Sequence, residues 1–155
     1  MRWSHPLLGA LVLAGCGPDP VALCAQGGCD EAFARILRVD VSSPGGTFQV
    51  LRNGLSERRT FATGALERGR ALSRGELAPL WLQVSEPSFQ ADLRAASQSR
   101  QCTSLGPQTR RCLQVRGLSS STLQSDAAGC WCGMATSSRV ESAWQEALVV
   151  FDLAF

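Results

Sequence analysis

Seven cysteines are set along the 155 residues, and their positions restrict what the chain can become. Cys16 closes a leading segment that carries Arg2 and then an apolar run over residues 7–14. That run is too short to span a bilayer and has the length of a signal-peptide core. The remaining cysteines are Cys24, Cys29, Cys102, Cys112, Cys130 and Cys132. An even set in an exported chain reads as disulfides. A bridge between Cys130 and Cys132 would close a tiny, strained ring. Each is therefore expected to take one of the other four, stapling the C-terminal half to a distant segment. In the chain-entropy account, a long loop closed in this way contributes about 3–4 kcal/mol. A zinc site is the competing reading. However, Cys-x4-Cys, Cys-x9-Cys and Cys-x-Cys are not the usual paired spacings, and no histidine follows His5.

The residues Leu13-Ala14-Gly15-Cys16 resemble the lipobox of bacterial lipoproteins, in which the leader is cut before the cysteine and that cysteine receives lipid. An ordinary secretory peptide and a chance buried helix are the alternatives. By the resemblance, residues 1–15 are a signal peptide and Cys16 is the lipidation site. Residues 16–29 form the lipidated start and a short tether, and residues 30–155 a single domain. Mature chains of this class carry two or three acyl chains. At about 0.8 kcal/mol per buried methylene, more than one chain anchors a protein effectively permanently. Gly17 stands where an aspartate tends to hold such proteins at the inner membrane. The resemblance thus implies the cell envelope and, in a Gram-negative source, the outer membrane. The tether is rich in proline, and even counted to Cys29 it reaches at most about 40 Å.

Losing the leader leaves 140 of the 155 residues, enough for one domain with a real core. Every basic residue is arginine, and the mature balance is close to neutral. The arginines are bunched, however. Arg52, Arg58, Arg59, Arg68, Arg70 and Arg74 meet only Glu57 and Glu67 between them, and no acid lies between Arg94 and Arg116. Such a basic face suits anionic headgroups or a phosphate-bearing glycolipid, against the plainer reading of solvated loops. Export removes nucleic acid as a partner.

From Arg35 the hydropathy pattern has a period of two. Leu37, Val39 and Val41 alternate with Arg38 and Asp40, Pro44-Gly45-Gly46 turns the chain, and Phe48 and Val50 continue a second strand. A third is expected over residues 59–63. Ser73-Arg-Gly-Glu76 reads as a capping box, followed by Leu77, Leu80, Trp81 and Val84 on one helical face. Pro79 either kinks that helix or moves its start towards Ala78. Phe89 and Leu93 suggest a short helix. Leu113 and Val115 mark another strand, residues 119–122 a polar tip, Leu123 a further strand, and residues 130–134 a last one. Ser138-Arg-Val-Glu141 reads as a second capping box, with Val140, Trp144, Ala147, Leu148 and Phe151 on the stripe of the closing helix. The expected fold is α+β, an antiparallel sheet with two main helices packed on one face, stapled by disulfides.

This order of elements is similar to that of small emfourin-like inhibitors of thermolysin-type proteases. In those proteins, strands turning at Gly-Gly precede a helix, and a second strand group precedes a last helix. Gly45-Gly46 and residues 72–89 carry the similarity, which covers residues 35–151 at the level of pattern. It implies a protease as binding partner. The cysteines and the lipid anchor depart from that family's pattern, and no binding residue is carried over.

Several chemistries are missing. Without lysine, tyrosine or a mature histidine there is no Ser–His, Cys–His or Ser–Lys nucleophile and no Schiff base. No Gly-x-Ser-x-Gly turn or phosphate-binding loop is present. Trp81 and Trp144 fall on apolar helical stripes, and Trp131 lies between two cysteines. All three read as packing residues, with Trp131 against a disulfide. The expectation is a chain that is not an enzyme, with no cofactor and no metal. It would act as a membrane-anchored binding module for an envelope protein, with a protease as one such partner. The alternatives are a carboxylate-dependent hydrolase of cell wall or carbohydrate, or a purely structural envelope lipoprotein.

Overall fold

The computed structural model describes residues 19–96, 110–117 and 126–155. Cys16, Cys102, the polar tip over residues 119–122 and the strand expected through Leu123 lie outside them. Short helices α1 (Pro20–Ala25) and α2 (Asp30–Arg35) lead into strands β1 (Ile36–Ser43), β2 (Gly46–Leu51), β3 (Ser56–Thr60) and β4 (Leu66–Arg68). Helices α3 (Arg74–Val84) and α4 (Pro87–Ala96) follow, then β5 (Arg110–Gly117), β6 (Ala127–Cys132) and α5 (Ser138–Ala154). The strands form one antiparallel sheet in the order β4-β3-β2-β1-β5-β6.

Alternation decides which face of the sheet is covered. Val39 lies between Val50 and Val115, and Val41 between Phe48 and Leu113. All six are buried beneath the helices. Their neighbours Arg38, Asp40, Ser42, Thr47, Gln49, Cys112, Gln114 and Arg116 project from the opposite face. The fold is thus α+β with helices on one face, and α4 adds a third substantial helix to the two expected. A Cβ on Gly129 of β6 would sit 2.1 Å from the Leu93 carbonyl oxygen, so only glycine lets α4 lie this close to the sheet.

The third strand begins earlier than its hydropathy suggests. Gly54 donates to the Leu51 carbonyl and Leu55 to Asn53 Oδ1, a tight turn that returns the chain into the sheet at Ser56. Helix α3 starts at Arg74 in spite of Pro79. The Ser73 hydroxyl accepts from the Glu76 amide at 3.2 Å, and the Glu76 carboxylate accepts from the Ser73 amide at 2.8 Å. That closed capping box, with Leu77, Leu80, Trp81 and Val84 fully buried, offsets the hydrogen bond that proline cannot donate.

The second expected box is not formed. Ser137, one residue earlier, caps α5 by accepting from the Val140 amide, while Glu141 turns to the Ala135 amide and to Arg111. Ser137 prevails because its hydroxyl also donates to Asp92 of α4 at 2.7 Å. The stripe read for α5 is corrected as well. Val140, Ala143, Trp144, Ala147, Val150 and Ala154 are buried, whereas Leu148 is exposed.

Two disulfides join described residues, Cys24–Cys29 and Cys112–Cys130. The first closes the bend between α1 and α2, and α1 rests on α3. The second joins residues directly opposite in β5 and β6. Cys130 is therefore linked to the neighbouring strand and not to a distant segment, because the β5–β6 pairing already brings Cys112 alongside. Cys132 is also disulfide-bonded, to a cysteine outside the described residues. Trp131 points away from this bridge and meets Trp144 edge to face, with ring centroids 5.5 Å apart.

Candidate functional site

The β1–β2 turn and the C-terminal half of α5 enclose an apolar groove. Gly46 makes the strand side of it possible. A side chain there would collide with the Arg59 carbonyl oxygen at 2.2 Å, so glycine alone lets β3 pair up to the turn. The core-side alternation of β2 then delivers Phe48 to the groove, and α5 supplies Ala147, Leu148 and Phe151. With Val41 and Arg58 these residues bound a volume of about 280 Å³.

Aromatic geometry holds the groove open at one end. Phe48 meets Phe151 and Phe155 edge-on, with centroids 5.3 and 6.0 Å away. The Arg58 guanidinium lies 4.6 Å from the centre of the Phe155 ring and is fixed by Glu67 of β4 at 2.6 Å. The rim is apolar beyond what a solvated surface needs. Leu148 is 38% exposed and Phe155, which touches Phe48 and Arg58, is 39% exposed. Apolar side chains gathered in this way mark an interaction surface more often than isolated ones.

The carboxylates serve the scaffold. Glu76, hydrogen-bonded by Arg70 and by the Ser73 amide, has its carboxyl lowered to about 2. The Ser137 hydroxyl holds Asp92 below the ordinary range against its own desolvation, with help from Arg139. Burial pushes Glu141 up, but the Ala135 amide, Gln145 and Arg111 together outweigh it and leave it lowered. A general acid needs the opposite shift. Among the described residues, the groove is lined by no carboxylate, and two other concavities are lined by one each, Glu86 and Asp40. Among the described residues no cluster of three histidine, cysteine or carboxylate side chains could hold a metal ion. No helix among them is long and apolar enough to cross a membrane.

Of the cysteines singled out in the sequence, none among the described residues lines the groove. Trp81 and Trp144 are buried. Sequence reasoning placed Leu148 and Phe151 on the core stripe and missed Phe155. The signal was present: residues 148, 151 and 155 recur at helical spacing, displaced from the buried stripe. Comparison with protein families, curated proteins and solved structures finds no match to this chain.

Proposed function

We propose that the protein is a non-catalytic binding module, held in the cell envelope by lipid on Cys16, whose groove between the β1–β2 turn and α5 receives an envelope protein. The observation that carries the reading is the groove itself: an aromatic wall, a rim with exposed Leu148 and Phe155, and one arginine pinned by Glu67. The composition adds support, since no mature histidine, lysine or tyrosine is present to activate a nucleophile. The carboxylates engaged in caps and ion pairs favour binding over the hydrolase alternative. Only residues 17–19 separate Cys16 from α1, so a partner would be met close to the lipid surface.

The test is capture from crosslinked envelope fractions, comparing the unaltered chain with Leu148→Asp. One specifically enriched protein, lost in the variant, supports the reading. Recovery of nothing specific, or a partner indifferent to Leu148, counts against it. An assay against a thermolysin-type protease examines the narrower reading of an inhibitor, which rests on the resemblance in element order.

A further inference from the structure

The face of the sheet away from the helices is built differently from the groove. Arg58 lies over the rings of α5, so Glu57 and Arg59 beside it on β3 project the other way. Register carries the same face across the sheet. Glu57 pairs with Arg68, Thr47 with Arg59, and Ser42 with both Thr47 and Cys112. Alternation along β5 adds Arg110, Gln114 and Arg116. Five arginines (38, 59, 68, 110 and 116) thus share this face with two carboxylates, Asp40 and Glu57. The arginine bunches separated in sequence are brought together here.

The middle of the face is a shallow concavity of about 300 Å³ lined by Asp40, Ser42, Thr47, Gln49 and Gln114 beside the Cys112 bridge. Its polar atoms are largely uncommitted. Arg38 and Arg116 both approach Asp40 at Oδ2, at 2.9 and 3.3 Å, which leaves Oδ1 without a contact among the described residues. Gln114 accepts from Arg116 through Oε1, and its amide hydrogens have no acceptor among the described residues. Gln49 and the Ser42 and Thr47 hydroxyls have no side-chain hydrogen bond among the described residues. At the flanks, Arg59 and Arg110 have no ion-pair partner among the described residues. They stand roughly 15 Å apart across three strand spacings.

From this arrangement we infer that the open sheet face is a binding site for an acidic glycan. Hydroxyl groups both donate and accept, as a floor of amides, hydroxyls and one free carboxylate oxygen requires. An acidic peptide fits less well, because its side chains bring carboxylates but no hydroxyls to the floor. The ligand must offer hydroxyls to the floor and anionic groups that reach Arg59 and Arg110 at the flanks. A saccharide of three or four residues bearing carboxylates or phosphates has that layout. The site lies on the opposite face of the sheet from most of the groove, and Thr47 and Arg59 border both.

Titration of the purified full chain with tetragalacturonate, maltotetraose and tetraglutamate tests this, read by the side-chain amide resonances of Gln49 and Gln114. The expected result is saturable binding of tetragalacturonate that shifts both amides, with each of the other two probes at least tenfold weaker. Arg59→Gln with Arg110→Gln should weaken binding about tenfold, and Arg139→Gln on the helical side should leave it unchanged. Absence of binding, equal binding of maltotetraose, equal or stronger binding of tetraglutamate, or indifference to the double substitution in a folded variant would each overturn the inference.

Discussion

The indole nitrogen of Trp81 donates to the carbonyl of Ile36 at 3.1 Å, in a site from which both side chains exclude water completely. That bond ties α3 to the first residue of β1, where the β1–β5 register shifts between Ile36 and Arg38. Phe33 stacks on the same indole at 5.5 Å, and Arg74 covers Phe33 in turn. Trp81→Phe keeps most of the ring but orphans a buried carbonyl. Its expected cost is about 1–3 kcal/mol, measured as a lower denaturant midpoint with little change in slope.

The groove can be altered without disturbing the core. Leu148 is partly exposed, and its polar replacement removes no buried contact of the α5 stripe. Leu148→Asp should change stability by no more than about 0.5 kcal/mol while abolishing partner capture. Phe48→Ala, by contrast, empties a buried ring site and should cost about 3–5 kcal/mol. Thermal melts of both variants beside the capture experiment separate surface from scaffold.

Acid should loosen the helix caps first. The carboxyl of Glu76 is lowered from 4.5 to about 2, and those of Asp92 and Glu141 are lowered too. The folded protein therefore binds these protons less readily than the unfolded chain, and protonation favours unfolding. The stabilisation from Glu76 is complete above pH 4.5 and is lost as pH falls towards 2. Glu76→Gln should flatten that slope in denaturant titrations between these limits. A variant as acid-sensitive as the unaltered chain would show that the cap is not responsible.

The disulfides make a chemical prediction. Non-reducing peptide mapping should recover Cys24–Cys29 and Cys112–Cys130, and place Cys132 with Cys102. Replacing both Cys112 and Cys130 by serine should cost about 3 kcal/mol in the chain-entropy account, since the closed loop is of intermediate length. The β5–β6 ladder itself should survive in amide exchange.

Much of the sheet could be read from the sequence because one face is buried. Val39, Val41, Phe48 and Val50 betray β1 and β2 by simple alternation, and Gly45-Gly46 marks their turn. Strand β4 gave no such signal, since Leu66, Glu67 and Arg68 are all exposed at the edge and held only by pairing to β3. Helix caps were legible in chemistry but not always in register. Ser73 and Glu76 close their box, whereas Ser138 loses to Ser137, whose second bond to Asp92 comes from a helix remote in sequence. The groove and the open face were least legible. Phe48 meets Phe155 only through the packing of α5 on the sheet, and Arg59 and Arg110 share a face only through the sheet order, which no local pattern encodes.

Attachment through Cys16 is the claim on which location and partner both depend. Intact-mass measurement of the exported protein tests it most directly. The account predicts a chain that begins at Cys16 and carries the added mass of two or three acyl groups. A product that retains residues 1–15, or that begins with an unmodified Cys16, would contradict it.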